Sequence, residues 1–269
     1  MKPFLKWAGN KYQIIERIRS TLPKGKRLIE PFVGSGAVFL NTDYPDYLLT
    51  DSSQDLINLY QHLKLEGQAF IKDCQEFFQP SNNHEQAFYA LRTLFNTTSN
   101  PRLKALLFVY LNKHCFNGLC RYNTKYEFNT PFGRYQKPYF PEKEMQFFHQ
   151  RAQIATFKQT DFLATMQEAI LGDVVYCDPP YVPLSKTANF TSYSAGGFSS
   201  EQQALLAKTA HELAEKGITV VISNHDTEFT RKIYHQHKAN VASFDVQRFI
   251  SCIGKNRNKA GEILAVFSG

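Results

Sequence analysis

Between Arg27 and Asp51 the chain spells a strand, a glycine turn and a second strand, an order that belongs to α/β folds with a parallel sheet. Arg27 to Phe32 reads as a strand running into Glu30-Pro31-Phe32-Val33-Gly34-Ser35-Gly36, after which a helix continues through Leu40. The next strand, Tyr47 to Thr50, ends at Asp51. Strands joined by a helical crossover lie parallel, so this is a βαβ unit with a glycine turn. Ahead of it, Ile14, Ile15, Ile18 and Leu22 share one helical face, closed by Pro23-Lys24-Gly25. With 269 residues the chain fits one large domain carrying an insertion.

From Ser52 to about Leu111 strand signals stop and helical patterns take over, broken at Pro80-Ser81-Asn82-Asn83 and at Asn96 to Pro101. Residues 114 to 140 follow as a tip punctuated by Gly, Asn and Pro. Strands return at Ala155 to Lys158 and Asp173 to Cys177, then at Ile218 to Ser223 behind a helix carrying Ala204, Leu205, Ala207 and Leu213. Ala242 to Phe249 and Glu262 to Phe267 read as a final hairpin around Gly254-Lys255-Asn256-Arg257-Asn258-Lys259. The expected division is a discontinuous α/β domain, 1–54 and 141–269, with a helical insertion at 55–140.

The net charge of +7 is local. Pro101 to Phe140 holds seven cations (Arg102, Lys104, Lys113, Arg121, Lys125, Arg134, Lys137) against Glu127, and Arg248, Lys255, Arg257 and Lys259 form a second cluster. Those two segments contribute +6 and +4, so the remainder is −3. Phe116, Tyr122, Tyr126, Phe128, Phe132, Tyr135, Tyr139 and Phe140 are interleaved with the first cluster, which favours a nucleic-acid partner over a merely solvated basic face. The longest apolar run, about Ala105 to Leu111, is too short to span a bilayer, and Met1 to Trp7 lacks a signal-peptide core. A cytosolic protein off the membrane is expected. Cys74, Cys115, Cys120, Cys177 and Cys252 lack CxxC spacing, which argues against a disulfide framework or zinc cluster, and no metal is expected.

The glycine turn is not a phosphate loop, since no GKS or GKT follows, and Phe39 stands where a dinucleotide fingerprint has its third glycine. Asp51 is placed either to bind a ribose diol or to cap a helix starting near Ser53. Beyond the apolar run Val174-Val175-Tyr176-Cys177 comes Asp178-Pro179-Pro180-Tyr181. There Asp178 can accept a hydrogen bond, the proline nitrogens cannot donate one, and Tyr181 offers a stacking face. This reads as a receptor for a flat, amino-bearing ring, or as a plain proline turn.

Together with Phe4-Leu5-Lys6-Trp7-Ala8-Gly9, Asn117-Gly118-Leu119-Cys120-Arg121-Tyr122-Asn123, Pro131-Phe132-Gly133-Arg134-Tyr135 and Ile222-Ser223-Asn224-His225-Asp226, these motifs resemble the DNA adenine-N6 methyltransferases of the Dam type. The resemblance spans nearly the whole chain in family order. It implies a Rossmann-like class I methyltransferase fold, S-adenosylmethionine as methyl donor, and the adenine of GATC in duplex DNA as target. By this resemblance Trp7, Lys11, Asp51 and Asp178 match cofactor contacts, with Phe32 and Gly34 shaping the pocket. Lys11 would meet the methionine carboxylate. Asp178 and the Pro179 carbonyl would receive the two N6 hydrogens of a flipped adenine, with Pro180 and Tyr181 completing the motif and Tyr181 stacking on the base. Phe190 and Tyr193 would help close the pocket.

For sequence reading the resemblance points to Arg121 and Lys6 on guanines and Leu119 on a thymine methyl, with Asn117, Pro131, Arg134 and Tyr135 in support. An alternative for Arg121 is a phosphate contact. Phe116 stands where the family commonly has a tyrosine that enters the space the base vacates. A monomer without an obligate protein partner is expected. Two rivals stay open, an N4-cytosine or other-site adenine methyltransferase and a catalytically silent DNA-binding protein of the same fold, while a nicotinamide dehydrogenase, suggested by the glycine turn alone, is disfavoured by the missing third glycine.

Overall fold

A computed structural model of the chain describes residues 1–181, 198–246 and 260–269. Its centre is one seven-stranded sheet in the order β3-β2-β1-β4-β5-β7-β6, formed by β1 (Arg27–Glu30), β2 (Asp46–Asp51), β3 (Ala155–Gln159), β4 (Asp173–Cys177), β5 (Thr219–His225), β6 (Asn240–Val246) and β7 (Ala260–Phe267). The first five strands are mutually parallel, and β7 runs antiparallel between β5 and β6. This is the mostly parallel sheet with an antiparallel terminal pair that the Rossmann-like reading requires.

Alternation along β4 shows why the strands are apolar throughout. Val174 and Tyr176 enter one core and Val175 and Cys177 the other, because helices cover both faces. The first core holds α1 (Ile15–Thr21), α2 (Gln54–Glu66), α5 (Pro101–His114) and α6 (Glu142–Ala152). The second holds α7 (Phe162–Gln167), α8 (Ser200–Glu215) and α9 (Glu228–Gln236). Helix α2, capped by Ser53, packs on β2 and β3 as well as on α5, so the helical segment shares its core with the sheet. Two further helices, α3 (Gln68–Glu76) and α4 (Glu85–Thr97), flank α5, which is buried from Ala105 onward.

One expected element is absent. Residues 34 to 41 form turns and a single 3₁₀ turn at Phe39–Asn41 rather than a helix. Gly34 and Gly36 adopt φ of 47° and 72°, a left-handed conformation that interrupts right-handed helix, and Pro45 lies only a few residues further on. The final strand pair forms as expected, although β6 begins at Asn240 rather than Ala242. Arg248, Cys252, Lys255, Arg257 and Lys259 lie outside the described residues, as do Phe190 and Tyr193. Among the described residues no helix is long and apolar enough to cross a membrane.

Candidate functional site

Strand order reverses between β1 and β4, and the crevice beyond the carboxyl ends at such a switch point is where open α/β sheets bind ligands. Glu30 ends β1, Asp51 ends β2 and Asp178 follows β4, so all three carboxyl groups meet at this edge. Asp51 is not the cap of α2, a role that Ser53 takes through its bond from the Leu56 N–H. Instead Asp51 accepts from the Gly34 N–H at 3.1 Å and the Ser53 N–H at 3.0 Å, tying the glycine turn to the second strand. Burial raises its carboxyl pKa against those hydrogen bonds. Trp7 covers the same turn, where a Cβ at residue 34 would lie 2.9 Å from the indole Nε1. Phe32 stacks on Phe162 at 5.6 Å and meets Phe198 edge-on at 5.6 Å, which gives the crevice an aromatic wall.

Across the switch point Lys11, only 5% exposed, reaches Asp178 Oδ1 at 3.0 Å and donates to the Gly9 carbonyl at 2.6 Å. A solvated role for this lysine is therefore excluded. Its ammonium also lies 4.4 Å from the centre of the Tyr181 ring. The Ser223 hydroxyl donates to the same Asp178 oxygen at 3.0 Å and itself accepts from the Tyr176 phenol. Burial raises the Asp178 pKa, while Lys11 and Ser223 oppose that shift by favouring the carboxylate. Tyr181 donates to Glu262 Oε2 at 3.3 Å, and its ring meets His225 at 4.4 Å in an edge-to-face arrangement. Cys177 is buried in the second core with its thiol pushed far above the usual range by burial, which fits packing rather than nucleophilic attack.

The eight residues expected to face DNA fall in a second group. Lys6 joins the tip through its backbone, exchanging two hydrogen bonds with the buried Asn112 amide, while its ammonium lies 4.2 Å from the Tyr135 ring centre. Tyr135 accepts from the Asn117 N–H at 3.0 Å, and Gly118 lies tight against the Lys6 side chain. Phe116 is 51% exposed, and its N–H donates to the Pro131 carbonyl. Leu119 is half-buried. Arg121 is exposed and donates to Asn129 Oδ1 at 2.8 Å, while Arg134 is held loosely by Glu85 at 3.5 Å.

The charge and aromatic count of this segment overstated its open face. Arg102 bridges Glu66 and Asp73, Lys104 pairs with Asp55, and Lys113 is buried. Phe128 is buried, Phe132 packs on Phe88 and Phe140 on Phe78, which leaves Phe116, Tyr126 and Tyr139 as exposed rings. Amphipathic helices need cations on their rims and aromatics in their cores, and sequence density alone does not separate these from a binding surface.

Several neighbours of the site had not been singled out. Ser223 lies inside the motif Ile222-Ser223-Asn224-His225-Asp226, whose place at a strand end is a usable signal. Phe162 follows the expected strand at 155–158 closely enough to be placed at the same edge. Glu30 is fully buried, with Oε1 lacking a partner among the described residues, and burial together with Asp178 pushes its carboxyl pKa well upward. Gln203 and Glu262 carried no sequence signal, because their roles come from elements distant along the chain.

This topology, with a crevice at the switch point, is that of a Rossmann-like α/β fold. Residues 7–250 match the D12 class of N6 adenine-specific DNA methyltransferases, and the chain belongs to that family. A DNA adenine methylase of Serratia marcescens is 52% identical, covering 99% of this chain and 98% of its own length. One from Vibrio cholerae is 50% identical over 99% and 96%, and one from Escherichia coli strain K12 is 48% identical over 99% and 95%.

Proposed function

We propose that this adenine-specific DNA methyltransferase methylates N6 of the adenine in duplex GATC, with S-adenosylmethionine as donor and the target base flipped out of the stack. The observation that carries the reading is the Asp178 carboxylate, recessed at the switch point, bonded by Lys11 and Ser223 and flanked by the Tyr181 ring. The crevice suits an adenosine-type cofactor. Gly34 lets Trp7 pack directly on the turn, where a Cβ would clash with the indole, Asp51 offers a carboxylate at the adjoining strand end, and Phe32 with Phe162 supplies an apolar wall. When bound, S-adenosylmethionine supplies an electrophilic methyl on a sulfonium centre.

The protein's own part is to prepare the acceptor. An exocyclic adenine nitrogen is a poor nucleophile because its lone pair is delocalised into the ring. Hydrogen bonds from its two N–H groups to Asp178 and the Pro179 carbonyl favour a tetrahedral nitrogen with its lone pair aimed outward. Within the duplex this atom is out of reach, so flipping precedes transfer. Lys11 now makes the contacts an incoming amino-bearing ring needs, one on Asp178 and one on Tyr181. Lys11 would hold the carboxylate of the bound cofactor, which would free Asp178 and Tyr181 for the base.

In this reading Arg121 and Lys6 select the guanines, Leu119 the thymine methyl, and Phe116 fills the vacated space, with Asn117, Pro131, Arg134 and Tyr135 shaping the loop. Residues 55–140 form the target-recognition insertion of a catalytic domain made of 1–54 and 141–269. Labelled-methyl transfer to a GATC duplex, beside duplexes changed at one base and with Asp178→Ala as control, tests the reading. Label on N6 of adenine in GATC alone supports it. Equal labelling of the variants, or label on cytosine, overturns it.

A further inference from the structure

Consecutive residues at the end of β5 hold different parts of the Asp178–Tyr181 segment. Ser223 bonds the Asp178 carboxylate and His225 meets the Tyr181 ring. Asn224 lies between them in the strand and so points to the opposite face. There its amide donates to Gln203 Oε1 on α8 at 3.0 Å and to the Tyr234 phenol on α9 at 2.9 Å, while its Oδ1 accepts from the His225 N–H. With its oxygen engaged as an acceptor, Gln203 uses Nε2 to donate to the Pro180 carbonyl at 2.9 Å. Gln203 and Asn224 are fully buried, next to the Leu206 and Ala207 side of α8.

A leucine or methionine would pack among these neighbours without needing partners, so the polar chain has a directional role. Proline fixes φ near −65°, which leaves ψ as the soft backbone torsion at Pro179 and Pro180. A hydrogen bond on the Pro180 carbonyl fixes the peptide plane leading into Tyr181, and with it the relation of the preceding carbonyl to Asp178. We propose that Gln203 is a positioning residue for methyl transfer, holding the Pro180 carbonyl so that Asp178 and the Pro179 carbonyl keep the spacing that receives the N6 amino group. This rests on the reading of Asp178 given above.

The test measures the single-turnover rate of methyl transfer by the full-length protein on a GATC duplex, which separates chemistry from product release. Gln203→Met keeps the volume and removes the donor. Its rate should fall about tenfold to a hundredfold, the scale of a small misplacement of reacting groups, with cofactor and DNA affinities within about twofold of wild type. Gln203→Glu supplies a second readout that also serves if the Met variant fails to fold. Its protonated acid can donate to Pro180 and accept from Asn224, whereas the ionised form sets charge against a carbonyl. The Glu variant should approach the wild-type rate at low pH and fall away from it as pH rises.

A wild-type rate for a folded Gln203→Met, or a Gln203→Glu profile parallel to wild type, overturns the proposal. Asp178→Ala, run beside them, separates the two claims. An active Asp178→Ala would remove the underlying reading. An inactive one, with Gln203→Met at full rate, would remove only the role of Gln203.

Discussion

The carboxyl edge of the sheet and the tip at residues 114–140 are built on opposite plans. At the edge, side chains are fixed by buried partners: Asp178 by Lys11 and Ser223, Asp51 by two backbone N–H groups, and Pro180 through Gln203. In the tip the backbone is fixed and the side chains project. Asn117, Gly118, Tyr126 and Arg134 adopt φ between 53° and 67°, and Gly133 and Phe116 bond back to His114 and Pro131. Chemistry needs reacting groups held to a fraction of an ångström, which strand ends provide. Reading a sequence needs long side chains that can reach base edges, which an ordered but exposed loop provides. Changes at the edge should therefore alter rate, and changes in the tip should alter which DNA is chosen.

The largest expected effect lies at the edge. On the proposed reading, replacing Asp178 by Ala removes a hydrogen-bonding partner of the reacting amino group, and single-turnover methylation should fall about a hundredfold or more. If that variant still methylates at near the wild-type rate, the division between the two regions fails. Next is Arg121→Ala in the tip, which should cost roughly 1–3 kcal/mol and relax preference at one base pair. Methylation of a panel of single-base variants reads this directly. A uniform loss across the panel would instead make Arg121 a phosphate contact, and the tip would lose its leading reader.

The two plans also differ in how far they could be read from the sequence. Strand-end residues were legible, because a short apolar run ending in Asp178-Pro179-Pro180-Tyr181 or Asp51 has one place in a parallel sheet. Lys11 was legible only as a family match. Its burial against Asp178 joins a 3₁₀ turn at Lys11–Ile14 to the segment after β4, more than 160 residues along the chain, and no local pattern reports it. The helix expected to follow Gly36 failed because the consecutive apolar residues Ala37 to Leu40 are all buried, in turns and one 3₁₀ turn rather than an α-helix, behind two left-handed glycines. Helix α6 was missed for the converse reason. It buries only Met145, Phe148 and Ala152 among eleven mostly polar residues, too few to stand out as a stripe. In the tip the motif residues were legible, but the count of available cations was not.

A smaller effect tests the scaffold of the tip. Gly118 has φ of 67°, and a Cβ there would lie 2.4 Å from the Lys6 side chain. Gly118→Ala should displace Lys6 and strain the turn by about 1–2 kcal/mol. Affinity for GATC duplex should weaken with the single-turnover rate at saturating DNA little changed. A rate loss at saturation, with affinity intact, would mean that the tip sets catalytic geometry after all.

The smallest effect distinguishes cations that face DNA from cations that hold the fold. Each Lys or Arg that neutralises a phosphate contributes about 0.9 to the slope of log affinity against log salt. Arg102 is engaged by Glu66 and Asp73, bracing α5 against α2 and α3, whereas Lys137 is exposed on the tip. Arg102→Gln should leave the salt slope unchanged and lower stability by no more than about 1 kcal/mol, since the bridge is partly solvated. Lys137→Gln should lower the slope by about one and leave the melting temperature within about a degree. Titrations over a range of salt, paired with thermal melts, decide the matter. If Arg102→Gln lowers the slope instead, its carboxylate partners release it on DNA binding, and the tip's electrostatic surface extends onto the helices that Arg102 braces.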